Sequence, residues 1–171
     1  HRWWIAPNER RVLRRASQQG AVIAVSQFVA DSARASLLPV PTQVIYNGVD
    51  TDTFQPSARQ RQTSEPFKLL FVGGWESMKG VDLLAPIMRE LGTGFVLHYT
   101  GGRAAQRDQA HLPQNMINIG RLRDHTAVAT AMQEADALLF PSRSEGFGLV
   151  AAEAMACELP VVATRSASLV E

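Results

Sequence analysis

Two carboxylates, Glu145 and Glu153, stand eight residues apart around the turn Gly146-Phe147-Gly148 and the opening of a run that reads Leu149-Val150-Ala151-Ala152-Glu153-Ala154-Met155-Ala156-Cys157. Apolar stretches flank this block, Ala137 to Phe140 before it and Leu159 to Ala163 after it. A glutamate set among alanines, methionine and cysteine on a helix is largely buried, and a buried carboxylate needs a partner, which here could be a ligand. A strand that ends in a glycine-bearing turn and feeds a helix N-terminus offers backbone N–H groups and a positive dipole end to phosphate. Glu145, in the turn, can accept from sugar hydroxyls, and Gly146 and Gly148 let the backbone approach a ligand closely. Glu153, one turn into the helix, can accept from two adjacent hydroxyls, as a ribose diol presents them. The plainer readings are a simple turn carboxylate at 145 and a glutamate satisfied by a neighbouring donor at 153.

A second cluster begins at Lys79-Gly80, in the turn after the run Phe67 to Val72. A lysine beside the positive end of a helix is unfavourable unless an anion lies between them. Other candidates carry less. Asp50-Thr51-Asp52 spells a pattern that can mark a metal–nucleotide site, but it lies in a polar linker and reads as turn chemistry. The four histidines show no metal-ligand spacing, and His98, in an apolar run, reads as packed. Trp3-Trp4 beside Arg2, Arg10 and Arg11 could touch a membrane interface, or could simply pack on their own domain.

These residues need a scaffold, and the pattern supplies one. Residues 9–19 look like a basic surface helix; Ala21 to Val25 and Gln43 to Tyr46 read as short strands around a helix near 27–37. From Asp50 to Pro66 the composition turns to Thr, Ser, Gln, Arg and Pro, which is linker chemistry. Beyond it strands and helices alternate. Phe67 to Val72, Phe95 to Tyr99, Met116 to Ile119, 137–140 and 160–163 read as strands. Leu83, Leu84, Ile87, Met88 and Leu91 form one helical face, interrupted by Pro86, and Ala127, Val128, Ala131, Met132 and Ala135 form another. Strand, helix, strand at this pitch predicts a parallel sheet with right-handed crossovers. Gly73-Gly74, Thr100-Gly101-Gly102, Gly120-Arg121 and Ser142 to Gly148 then all fall at strand carboxyl ends, where such sheets bind ligands.

Composition narrows the classes. Apolar residues make up 46% and charged residues 19% of 171, the profile of a globular chain with a real core. A net charge of +1 argues against a general nucleic-acid binder. Cys157 is the only cysteine, so no internal disulfide can form, a cytoplasmic setting is favoured, and the thiol reads as a small core residue. No apolar run is long enough to span a membrane. With no initiating Met and a C-terminus just past a strand, the chain reads as an internal piece of a longer protein.

Several blocks in order resemble a known family: Val44-Ile45-Tyr46-Asn47-Gly48-Val49-Asp50 with Phe54 and Pro56, Phe71-Val72-Gly73 with Lys79-Gly80, Glu145 and Glu153 with seven residues between, and Pro160-Val161-Val162-Ala163-Thr164. They resemble family 4 retaining glycosyltransferases of the GT-B fold, over about residues 20–171. The resemblance implies an α/β architecture of two Rossmann-like domains facing across a cleft. Residues 1–46 would be the tail of the N-terminal, acceptor-side domain and 47–66 the linker; 67–171 would be the C-terminal donor domain, lacking its last strand and helices. It further implies transfer of a hexosyl group from a nucleotide-diphosphate sugar, UDP- or GDP-linked, to an acceptor hydroxyl, with retention at the anomeric carbon and no required metal or cofactor. By carry-over, Lys79, after Gly73 and Gly74, would neutralise the diphosphate; Glu153 would hold the ribose; Glu145, Gly146 and the backbone of Phe147, Gly148 and Leu149 would position the sugar and distal phosphate; and the backbone of Gly120, Arg121 and Leu122 would meet the base. Lys79 and Glu145 are the catalytic candidates. The family often has an Arg after the strand glycine, where this chain has Gly74; either Arg103, Arg143 or an arginine outside this chain supplies that cation, or donor affinity is weaker. The acceptor, whether glycan, lipid or small molecule, is not legible, and the setting implied is the cytoplasm, with the inner membrane face open to the full protein. The alternatives are a GT-B sugar-nucleotide epimerase and a non-catalytic nucleotide-binding or scaffold module.

Overall fold

The computed structural model of the chain describes residues 11, 14, 15, 18, 20, 22–36, 42–58, 62 and 64–171. Two short parallel strands, β1 (Val22–Ala24) and β2 (Thr42–Val44), are joined through helix α1 (Gln27–Ser36). Then follow β3 (Phe67–Phe71), α2 (Val81–Leu91), β4 (Phe95–Thr100), α3 (Gly102–Asp108), β5 (Met116–Gly120), α4 (His125–Gln133), β6 (Ala137–Phe140), α5 (Leu149–Ala156) and β7 (Val161–Ala163). The later strands form one parallel sheet in the order β5-β4-β3-β6-β7. The chain starts in the middle, moves out to one edge, then returns to build the other half. The strand order therefore reverses between β3 and β6, and the loops after those two strands open on one crevice.

Strand periodicity decides which side chain faces which helix. Leu69, Phe71, Leu97, Tyr99 and Leu139 face one layer, where Leu84 and Met88 of α2 and Ala105 of α3 complete a buried cluster. Leu70, Leu138 and Phe140 face the other, against Ala129 and Met132 of α4, Ala154 of α5 and Cys157. All residues of β6 are buried, as a continuous apolar run in the middle of a parallel sheet requires.

The elements follow the predicted order with shifted ends. Helix α4 begins at His125 because the Asp124 carboxylate accepts from the Ala127 N–H at 2.8 Å, an N-cap that apolar spacing does not register. Helix α2 runs through Pro86, which removes one i→i−4 bond without ending the helix. Helix α3, Gly-Arg-Ala-Ala-Gln-Arg-Asp, is an addition; it buries only Ala105 and so gives no apolar stripe to read. In the segment predicted as linker, Asp50 makes the expected turn, accepting from the Asp52 N–H at 3.0 Å and the Thr53 hydroxyl at 2.7 Å. Four residues on, Phe54 is 2% exposed and packs, with Val49, into the α4–α5 layer.

One tie between the small strand pair and the large sheet is a carboxylate. Glu171 accepts from the N–H groups of Gln27, at 2.9 Å, and Phe28, at 2.5 Å, and so caps α1 from outside its own unit. Of the predicted basic helix, Arg11, Arg14, Arg15 and Gln18 are helical and exposed. The Trp3-Trp4 surface lies outside the described residues, among which no helix is long and apolar enough to cross a membrane.

Candidate functional site

Lys79, Glu145 and the start of α5 gather around the crevice where the strand order reverses. After β3, Gly73 donates its N–H to Thr100 Oγ1 at 2.9 Å and accepts from the same hydroxyl at 3.0 Å, which ties the ends of β3 and β4 together. Gly74 follows, exposed, and then a one-turn helix, Ser77–Lys79, ends on Lys79. Gly80 takes φ 71°, and an added Cβ there would lie 2.1 Å from the Pro141 carbonyl oxygen. Only glycine lets the Lys79 turn approach the loop after β6 this closely.

That loop carries Glu145, and the two candidates meet: Lys79 Nζ lies 2.7 Å from Glu145 Oε1, with side chains 32% and 12% exposed. The anion expected beside Lys79 is therefore supplied by the second candidate residue. The Glu145 carbonyl accepts from the buried Ser168 hydroxyl at 3.0 Å. Next to it, Ser144 Oγ is buried with no hydrogen-bond partner among the described residues. Gly146 faces Val25 and Val29 of the first unit, and the Phe147 ring lies 6.1 Å from that of Tyr46. Gly148, at φ 87°, starts α5 with no side-chain cap on its first-turn N–H groups. Leu149, the first residue of α5, is 43% exposed.

Glu153 stands one turn further along α5, its side chain 12% exposed, and His125 Nδ1 is 3.9 Å from its carboxylate. Burial raises its pKa above the ordinary carboxylate value, and the nearby His125 opposes that shift. A carboxylate with a raised folded-state pKa binds its proton more tightly folded than unfolded. Its stabilising contribution is present at acid pH and is lost as pH rises through the folded value. Glu153→Gln should accordingly melt higher than wild type at neutral pH, by on the order of 1–3 °C. The difference should vanish below the ordinary value of 4.5. Calorimetric melting at both pH values checks it, and equal melting at neutral pH would mean that the buried charge costs nothing.

His125 is a residue that sequence reasoning passed over, since a lone histidine after an aspartate reads only as a helix start. It stacks edge-on against Phe54, with ring centroids 5.9 Å apart. Arg121 and Leu122 follow β5, at the far edge of the sheet from β3 and β6. Leu122 lines a cavity of about 310 Å3 beside α4, with His98 and Lys68, and neither Lys79 nor Glu145 borders it. Burial lowers the His98 pKa and favours its neutral form, as for a packed histidine. Of the arginines considered as substitutes at Gly74, Arg143 is engaged elsewhere: both its terminal nitrogens lie 2.6 Å from the Asp82 carboxylate.

Comparison with known proteins places this arrangement. The family model described as "Glycosyl transferases group 1" matches residues 66–171, the whole of the large sheet and its loops. An uncharacterised glycosyltransferase of Methanocaldococcus jannaschii is 33% identical over 152 residues, covering 88% of this chain and 41% of the relative. Glycogen synthase of Mycobacterium tuberculosis is 37% identical over 137 residues, covering 75% of this chain and 33% of the relative. The chain thus spans less than half the length of these relatives. Among solved structures, sucrose-phosphate synthase from Thermosynechococcus elongatus superposes with a TM-score of 0.81 at 26% identity, covering 96% of this chain and 45% of that one. Anabaena HepE, solved with UDP-glucose, superposes at 0.77 and 22% identity, over 95% of this chain and 50% of that one. The sheet is that of the GT-B architecture, and by sequence and fold together the chain belongs to the glycosyl transferases group 1 family.

Proposed function

We propose that the protein is a family 4 enzyme that transfers a hexosyl group from a nucleotide-diphosphate sugar to an acceptor hydroxyl with retention of configuration. In this reading residues 67–171 form the donor-binding domain, 1–46 belong to the acceptor-side domain, and 47–66 join them. The observation that carries the reading is the Lys79–Glu145 pair, 2.7 Å apart in front of the uncapped N-terminus of α5 at the reversal of strand order.

The chemistry needs what that place offers. Breaking the anomeric bond puts negative charge on the departing diphosphate and positive charge on the sugar ring. The diphosphate takes over Lys79 and the first N–H groups of α5, which gain in strength as its charge grows. Glu145, released from Lys79, turns to the sugar, where its carboxylate accepts from hydroxyls and faces the developing positive charge. Glu153 accepts from the ribose diol in either protonation state. The backbone of Gly120, Arg121 and Leu122 meets the base, and that of Gly146, Phe147, Gly148 and Leu149 meets the sugar and distal phosphate. The presence of UDP-glucose in the HepE structure supports a donor of this class, with UDP and GDP the nucleotides to try first.

The test is a panel of UDP- and GDP-linked hexoses incubated with the full-length protein, with released nucleotide and the anomeric configuration of the product followed by NMR. Nucleotide release with a retained configuration is expected. Tight nucleotide binding without any turnover would instead identify a non-catalytic binding module, and epimerised sugar nucleotide would identify an epimerase.

A further inference from the structure

The two residues on which the proposed function rests are 66 positions apart in the chain and sit on separate loops. Lys79 ends a single 3-10 turn, Ser77–Lys79, in which no residue is buried. One such turn has neither the length nor the packing to hold its own shape. Its geometry must be set by what touches it, and most of those contacts come from the loop after β6. The Arg143 N–H donates to the Met78 carbonyl at 2.9 Å, and the Ser142 hydroxyl reaches the same oxygen at 3.3 Å. The Arg143 side chain donates to the Ser77 carbonyl at 2.5 Å. The same guanidinium forks onto Asp82, in the first turn of α2, with Nη1–Oδ1 and Nη2–Oδ2 both 2.6 Å. Ser142 is in turn held from β7's side, where Ser166 Oγ donates to its carbonyl at 2.9 Å and Thr164 Oγ1 donates to the same oxygen.

We propose that Arg143 and Asp82 are positioning residues of the donor site: their bidentate pair, with the bond from Arg143 to Ser77, clamps the Lys79 turn to the Glu145 loop and fixes the spacing of the two groups. The planar fork is what makes this work. Its fit to a carboxylate fixes the plane of the guanidinium, so that one Nη1–H remains directed at the Ser77 carbonyl. A lysine would keep the charge and lose the plane. The clamp also settles what Arg143 is for. With three of its five side-chain N–H groups on Asp82 and Ser77, it holds the turn that bears the phosphate-facing cation. The Arg143 hydrogen bonds hold the Asp82 carboxyl below its ordinary pKa.

The pair is well exposed, with side chains 42% and 54% accessible. Exposed pairs contribute little to global stability, and the effect here is local geometry. That gives the proposal a signature that a purely structural role would not produce: little change in melting temperature, with a clear change at the site. The effect on ligand binding rests on the proposed donor function; the clamp itself does not.

The experiment uses the full-length protein with Asp82→Ala, Arg143→Ala, Arg143→Lys and the Asp82→Ala/Arg143→Ala double variant. Amide hydrogen exchange without ligand reads the clamp directly. Exchange at Lys79, Gly80 and Arg143 should quicken about fivefold or more in every variant, Arg143→Lys included, with melting temperatures unchanged. Calorimetric UDP binding reads its consequence. The dissociation constant should rise about fivefold in each single variant and no further in the double, because partners in one contact are not additive. Unchanged exchange in Asp82→Ala and Arg143→Ala would overturn the clamp. So would tighter UDP binding by Asp82→Ala alongside weaker binding by Arg143→Ala, which would mark Arg143 as a phosphate ligand that Asp82 restrains. If the wild-type protein shows no affinity for UDP or GDP the donor reading falls, and the exchange measurement alone decides the clamp.

Discussion

Gly80→Ala should lower the melting temperature by about 10 °C and abolish nucleotide binding together. Two costs add at this position. The left-handed backbone, φ 71°, disfavours any side chain by about 1 kcal/mol. The new methyl would also lie 2.1 Å from the Pro141 carbonyl oxygen, a backbone atom that cannot rotate aside. The turn and the loop must part, at a further cost of about 1–3 kcal/mol. Parting them separates Lys79, the preceding residue, from Glu145. Gly102→Ala is the control, since Gly102 has φ 56° with nothing within 4 Å of the added atom. It should lose only the backbone term. Thermal melts of the two variants decide the matter, and equal losses would show that the close approach at Gly80 carries no weight.

The two glutamates should fail in different ways. Glu145 sits where charge changes along the reaction, so Glu145→Gln should reduce kcat by about a hundredfold with a smaller effect on KM. Glu153 faces a ribose held alike before and during the reaction, so Glu153→Gln should raise KM by about tenfold and leave kcat nearly intact, as loss of uniform binding does. Glutamine keeps the shape and one acceptor, which limits packing damage. Steady-state kinetics in the full-length protein checks both. An intact kcat in Glu145→Gln with an abolished one in Glu153→Gln would reverse the assignment.

Much of this arrangement is legible from sequence because burial writes itself into periodicity. Strand β6 shows as Ala-Leu-Leu-Phe without a polar residue since it is covered on both faces, and Glu153 stands out because its helix is otherwise apolar. Phe54 hides in a polar stretch: one buried aromatic among Thr, Asp and Gln gives no period, although it packs into the core. Helix α3 hides for the opposite reason, being mostly exposed. The pairing of Lys79 with Glu145 is a third kind of case. It depends on which strands are neighbours, and the sheet order β3-β6 is a property of topology that local spacing does not carry. The role of Arg143 likewise follows only from its partner Asp82, 61 residues away.

The most direct measurement on the proposed donor site is calorimetric binding of UDP and of uridine to the wild-type full-length protein and to Lys79→Ala. Replacing Lys79 removes a charge-assisted contact and leaves the Glu145 carboxylate facing the diphosphate without its counter-ion. UDP binding should weaken by about 1.5–3 kcal/mol while uridine binding stays within error of wild type. Equal losses for the nucleoside and the diphosphate, or no loss for either, would contradict a diphosphate at Lys79 and with it the proposed donor site.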